Sequence, residues 1–253
     1  MRQQQLRPDD PPPHWVKNHF LTTLPPNELE RLLPELERVA FRSRQIVFGA
    51  GDPARYVYFP QEALISLLAA MDDGRSAEVS LTGKEGIVGI AEILGVATHR
   101  YTAAVVVPGS CLRMRMEKFN AEFARSAGLQ FRVLNYFRYL LVQVSQTAAC
   151  NRLHRVRQRL ARQLLMIRDR VQRDEFQMTH ESFAVALGTP RSEVSFAAEV
   201  LRRSGVIDYR HGQVIILRRE KLESAACECY GVIHREFLSL VEANPQDLYG
   251  APA

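Results

Sequence analysis

Lysine is nearly absent from this chain. Only Lys17, Lys84, Lys118 and Lys221 occur in 253 residues, so 29 of the 33 basic residues are arginine. The planar arginine fork suits bidentate contacts to phosphate and base edges, although a GC-rich genome yields the same bias. Long apolar runs are missing too: the longest, Ala63 to Met71, is far too short to span a bilayer. The opening MRQQQLRPDDPPP has no apolar core of the kind a secretory signal needs, and its polar, proline-rich composition predicts a disordered arm over residues 1–17. Cysteine is scarce, with Cys111, Cys150, Cys227 and Cys229. On a helix, Cys227 and Cys229 would point about 200° apart and could share neither a disulfide nor a metal. With no clustered ligand set, free thiols in a cytoplasm are expected, and no metal or cofactor is predicted.

The apolar content of 46% and charged content of 24% are those of a soluble globular chain large enough for two domains. Residues 18–38 suggest short helices, opened at Pro25-Pro26-Asn27 and interrupted near Pro34. From Val39 to Glu117 the pattern changes to short apolar or alternating runs (RQIVF, RYVYFP, ALISLLAAM, SAEVSLTG, YTAAVVVPGSCLRMRM) separated by Gly, Asp and Pro turns. Such spacing predicts a small sandwich or jelly roll, with room for one helical turn in Gly86–Gly95.

Residues 120–146 read as one long helix, in which Leu134, Phe137, Leu141, Val144 and Ala148 recur at 3, 4, 3, 4. Its other faces are apolar as well, which predicts a second partner, most simply the same helix of another subunit. Arg152 to Arg173 forms a further helix with eight arginines against one acid, Asp169. A solvated face is the ordinary role of such a run, and a position beside a phosphate backbone is the alternative.

Thr179 to Arg203 (THESFAVALGTPRSEVSFAAEVLRR) reads as two helices joined at Gly188. Thr179 is the expected cap of the first, Thr189 that of the second, with Pro190 in its first turn. Val194, Ala197, Ala198 and Leu201 share one side of the second helix; Arg191, Ser192, Ser195 and Glu199 share the other. This is helix-turn-helix geometry. Two short strands, Val206–Tyr209 and Gln213–Leu217, follow around Arg210-His211-Gly212, a hairpin in the position of a wing. One closing helix is expected from about Glu220, with Leu222, Ala226, Cys229, Ile233, Phe237 and Leu240 on one face, and a loose tail over 244–253.

In this order of parts the chain resembles the Crp/Fnr superfamily of bacterial transcription regulators, most recognisably in GDPARYVYFP, KEGIVGIAEILG, HRVRQRLARQLLMIRDRV and the helix-turn-helix itself. The resemblance implies an α+β architecture: a β-roll sensory domain (18–119), a dimerisation helix (120–150) and a winged helix-turn-helix domain (151–243). It implies a homodimer that binds a roughly palindromic duplex, with RNA polymerase as a further partner. Arg191 stands where the family places an arginine that reaches guanine. Ser192, Ser195, Thr189, Thr179 and Phe196 lie around it, with Arg210 and His211 as phosphate contacts at the wing. Ser192 and Phe196 replace a family Glu and Arg, and Pro190 replaces a phosphate-binding Ser, so a different target sequence is implied.

In the effector pocket of cyclic-nucleotide-binding members, a Gly-Glu segment holds the ribose and an Arg-Ser pair holds the phosphate. Here Gly86 is followed by Ile87, and Arg100 by Tyr101, with Gly89 in the same segment. Cyclic AMP is therefore not the expected effector, and a modified pocket that still takes a cyclic nucleotide is the alternative. A cupin-like metal enzyme is disfavoured because His99 is the one histidine in the β region. An interaction module that no longer binds DNA is disfavoured by Arg191 and the basic wing.

Overall fold

The computed structural model describes residues 12–90, 93 and 95–242. The greater part of the expected arm and the whole expected tail lie outside these residues, as do residues 91, 92 and 94 of the segment expected to hold a helical turn. Residues 12–17 do not behave as an arm: Val16 is buried and the Lys17 amide donates to Gln61 Oε1 at 2.7 Å. Two short helices follow, α1 (His19–Thr22) and α2 (Pro26–Leu32), then a 3-10 turn at Leu33–Glu35.

The β-roll comprises β1 (Glu37–Phe41), β2 (Ile46–Phe48), β3 (Tyr56–Pro60), β4 (Leu64–Ala70), β5 (Ser76–Thr82), β6 (Thr102–Val107) and β7 (Gly109–Arg115). They form two antiparallel sheets, ordered β1-β7-β3 and β2-β6-β4-β5. The run ending the β region folds at the expected Pro108-Gly109 turn into β6 and β7. There an added Cβ on Gly109 would lie 2.5 Å from the Glu62 backbone, so only glycine fits. Val57, Phe59, Leu64, Leu81, Leu112 and Met114 fill the space between the sheets and the helices beside them.

The expected single helix from residue 120 is two: α3 (Met116–Arg125) and α4 (Ala127–Leu153). The break at Ser126 has a non-local cause. Ser126 Oγ caps α4 by accepting from the Leu129 amide, and the Glu28 carboxylate of α2 accepts from Ser126 Oγ, the Gly128 amide (3.2 Å) and the Leu129 amide (3.0 Å). A carboxylate satisfies the free amides of a helix start and opposes its dipole.

After α4 come α5 (Val156–Val171), β8 (Glu175–Gln177), α6 (His180–Leu187), α7 (Arg191–Arg203), β9 (Ile207–Arg210), β10 (Gln213–Ile216), α8 (Arg219–Ala225) and α9 (Cys229–Glu242). Strand β8 joins the hairpin as a third strand, in the order β8-β10-β9. The expected single closing helix is interrupted at residues 226–228, and α9 turns back along α4. Arg138 of α4 pairs with Glu236 and reaches Ser239 Oγ at 3.3 Å. Part of the surplus apolar surface of α4 is therefore covered within the chain. No described helix is long and apolar enough to cross a membrane.

The arginine run is only in part a solvated face. Arg159, Arg162 and Arg170 of α5 are buried, while Arg157 of α5 is exposed, as are Arg152, Arg155 and Arg173 outside that helix. Arg170 Nε meets Glu85 Oε1 at 2.7 Å with both side chains almost wholly enclosed. It also donates to the Met166 carbonyl (2.8 Å) and to the Tyr139 hydroxyl of α4. Glu85 in turn accepts from the Gly83 amide. One buried pair thus joins the β-roll, α4 and α5. Glu85→Gln is expected to reduce the unfolding free energy by about 3–5 kcal/mol, because it strands a buried guanidinium. Urea denaturation reads this, and a loss under about 1 kcal/mol would show that the pair behaves as a surface bridge.

Candidate nucleic-acid interface

Thr179 caps α6 as its position predicts, Oγ1 accepting from the Ser182 amide at 3.1 Å. Gly188 ends that helix at φ 55°, in the left-handed region that a side chain penalises. The second helix begins one residue later than expected. Pro190 is still extended, at φ −56° and ψ 141°, and is itself the N-cap. The Thr189 hydroxyl donates to Glu193 Oε2 at 2.9 Å instead of capping the backbone. Val194, Ala197, Ala198 and Leu201 form the buried face of α7.

On the outer face Arg191 and Ser192 are exposed, and Phe196 keeps 74% of its surface in solvent. Ser195, expected to face outward, is turned in: its Oγ lies 2.9 Å from His180 Nδ1. The His180 ring stacks on Tyr209 of the wing at 4.3 Å, which draws the Ser195 hydroxyl toward the helix-turn-helix interior. Across the outer face of α7 stands the start of α5, where Arg155, Val156 and Arg157 line a shared cleft with Ser192, Glu193 and Phe196. Arg155 and Arg157 are thus added to the candidate contacts. Their signal in the sequence was the arginine run, but its period alone did not separate them from the buried arginines.

Thr179 and His211 lie elsewhere. With Arg44, Ser182 and Gly212 they line the cleft between the β-roll, α6 and the wing, and Arg44 Nη2 donates to Thr179 Oγ1 at 3.0 Å. The Met178 amide donates to the Gly212 carbonyl at 2.7 Å, which ties the wing tip to the residue before Thr179. The tip turns through His211 (φ 51°) and Gly212 (φ 81°), both left-handed, as a two-residue hairpin of this hand requires. Arg210 is exposed and pairs with Asp208 at 3.2 Å.

Between the β-roll and α4 lies a cavity of about 150 Å³, lined by Phe48, Leu67, Val79, Ser80, Thr82, Ile87, Gly89, Ile90, Tyr101, Phe137, Leu140 and Val144. Ile87, Gly89 and Tyr101 of the expected pocket set are brought together there. Gly86 and Arg100 are not. Gly86 packs under Tyr136, whose ring atoms would stand 2.3 Å from an added Cβ, and Arg100 is exposed. No charged side chain lines the cavity among the described residues. The carboxylate beside Gly86, that of Glu85, is taken by Arg170.

The seam on α4 faces solvent in the single chain. Leu134 and Leu141 are 64% and 68% exposed, Val144 and Ala148 are exposed, and Phe137 is half-buried. Phe137 and Val144 belong to both the seam and the cavity wall.

A β-roll followed by a long helix and a winged helix-turn-helix is the architecture of a class of transcription regulators. The family model of the cyclic nucleotide-binding domain matches residues 38–126, and that of the Crp-like helix-turn-helix domain matches residues 158–225. The chain belongs to the Crp/Fnr family of transcription regulators and carries its helix-turn-helix DNA-binding domain. Among solved structures it is similar to a CRP-family transcriptional regulator from Thermus thermophilus, with 25% identity and a TM-score of 0.63 over 75% of this chain and 96% of that one. FixK2 from Bradyrhizobium japonicum shares the fold at 16% identity, with a TM-score of 0.66 over 76% and 98% of the two chains. So does the c-di-GMP-responsive regulator CLP from Xanthomonas campestris, at 18% identity and a TM-score of 0.63 over 75% and 98%. A search of curated proteins returned no match.

His180 carries a pH dependence. Burial first, and the Arg191 charge second, hold its pKa below the ordinary 6.5, so it is neutral in the folded chain near neutral pH. The unfolded chain takes up the proton more readily, so this contribution is fully present above about pH 6.5 and is lost as the pH falls. Urea denaturation of the natural chain and of His180→Gln at about pH 7.5 and 5.5 tests it. The gap between the two should narrow or reverse at the lower pH, and a gap independent of pH would refute the assignment.

Proposed function

We propose that this regulator is a homodimer that reads a roughly palindromic DNA site with Arg191, and that cyclic AMP is not its effector. The observation that carries the reading is the outer face of α7. Arg191, Ser192 and Phe196 stand clear of the protein's own packing, with Arg155 and Arg157 beside them. A guanidinium at a helix start suits O6 and N7 of guanine in the major groove, while the flanking arginines suit phosphates. The solvent-facing seam of α4 supports dimerisation, since exposed leucines at heptad spacing lose most by remaining unpaired. Two recognition helices would then enter successive major grooves about 34 Å apart.

The cavity supports the second half of the proposal. A cyclic nucleotide carries a phosphate that needs a cation, and the described lining offers none. The Xanthomonas regulator responds to c-di-GMP, a larger anion to which the same objection applies.

Sites selected from random DNA supply the cognate duplex for the test. On it, Arg191→Ala is expected to cost about 1–3 kcal/mol and to relax discrimination at one base position, while cyclic AMP leaves the affinity unchanged. An equal loss on random DNA would count against base reading. Leu141→Glu is expected to halve the mass measured by light scattering, and an unchanged mass would refute the seam.

A further inference from the structure

Three cysteines and a histidine that are distant in sequence meet where α4 ends. Cys150 and His154 are four residues apart, on the last turn of α4 and its C-cap, so they share a face. Cys227 precedes α9 and Cys229 is its first residue. The spacing argument that set Cys227 and Cys229 on opposite sides of one helix fails, because residues 226–228 break the helix and the chain turns both thiols to the same point. Cys150 Sγ lies 3.4 Å from Cys227 Sγ, and Cys229 Sγ lies 3.5 Å from His154 Nδ1. The four donor atoms all lie within 4.8 Å of one another, and the three thiols are buried.

We propose that Cys150, His154, Cys227 and Cys229 form a site for one Zn²⁺ ion, bound through three thiolates and an imidazole nitrogen. Zinc–sulfur and zinc–nitrogen bonds of about 2.3 and 2.0 Å in a tetrahedron place the donors about 3.5–3.8 Å apart. Two of the observed separations already match this, and the others, all within 4.8 Å, close by at most about 1 Å. An iron–sulfur cluster spreads its ligands over several irons, whereas this group closes on a single centre. The thiol pair is also separated by far more than the roughly 2.05 Å of a disulfide.

The surroundings match what such an ion requires. His154 Nε2 lies 3.2 Å from Glu228 Oε1, an arrangement in which the carboxylate accepts a hydrogen bond from Nε2–H and the Nδ1 lone pair is left to the metal. Gln146 Nε2 donates to Cys229 Sγ at 3.1 Å. Binding releases up to three thiol protons and leaves a centre of net charge −1. The buried Arg162 guanidinium acts electrostatically on Cys150 and Cys227, and its Nε has no hydrogen-bond partner among the described residues. A buried cation so placed offsets that charge.

Four protein ligands complete the coordination shell, so the role is structural and not catalytic. The ion would pin the junction of α4 and α5, where His154 leaves helical geometry at φ −110° and ψ 149°, to the start of α9.

The test uses the tag-free full chain and is read without DNA. Protein from zinc-supplemented cells is expected to contain about one zinc per chain by elemental analysis. After zinc is stripped, Co²⁺ should produce the visible and thiolate charge-transfer bands of a tetrahedral site. Cys227→Ser, Cys229→Ser and the milder His154→Gln should each lose most of the metal, while Cys111→Ser, a thiol in the β-roll, should retain it. Three results would overturn the proposal: no zinc and no cobalt bands in the natural chain, iron accompanied by acid-labile sulfide, or zinc retained by all three ligand variants.

Discussion

The buried pair between Arg170 and Glu85 is the contact on which the relation of the parts depends. Both side chains are almost wholly removed from water, so each charge depends on protein groups to stabilise it. Arg170 completes its bonding with a backbone carbonyl of its own helix and the hydroxyl of Tyr139. Tyr139 also accepts from Gln143, whose amide bonds both the N–H and the C=O of Leu81. A network of this kind contributes little net energy when intact and costs a great deal when one member is lost. Its effect is to fix geometry: the loop before Gly86, the middle of α4 and the end of α5 have one satisfactory arrangement.

That arrangement accounts for the character of the cavity. A carboxylate is present in the Gly86 segment, but it stands before the glycine and is directed at α5. The position after the glycine is Ile87, which is buried and lines the cavity with Phe48, Tyr101 and Phe137. Among the described residues, the carboxylate of this segment lies at the joint behind the cavity and not in its lining. Because Phe137 and Val144 contribute to both the cavity wall and the solvent-facing seam, anything that filled the space would press on the side of α4 that carries Leu134 and Leu141.

The features legible in the sequence are those with local causes. Thr179 as a cap, Gly188 as a left-handed stop, the apolar face from Val194 to Leu201, and the turn at His211-Gly212 each follow from residues within a turn of one another. The features that were not legible have distant partners. The break at Ser126 depends on Glu28, the inward turn of Ser195 on His180 and the wing, and the burial of three arginines in α5 on Glu85, Thr147 and the Leu187 carbonyl. Periodicity could show that α5 has an apolar side, but not that its arginines divide between water and core. Of the candidate contacts, Arg191 and Ser192 are exposed, as their helical spacing predicts. Thr179 and Ser195 are instead engaged by other parts of the fold.

The positions of these non-local contacts along α5 carry a further consequence. Its C-terminal end is held to the β-roll through Arg170, and its N-terminal end follows His154 at the cysteine cluster by two residues. Between them, Arg159 donates to the carbonyl of Leu187, the last residue of α6 before the Gly188 turn. Helix α5 is therefore a rod held to the β-roll at one end, with the turn of the helix-turn-helix attached near the other. A rod held in this way transmits displacement and does not absorb it, because interior packing yields little to small shifts. A change at either end that moved α5 would have to move the turn, and Arg191 stands three residues beyond Gly188.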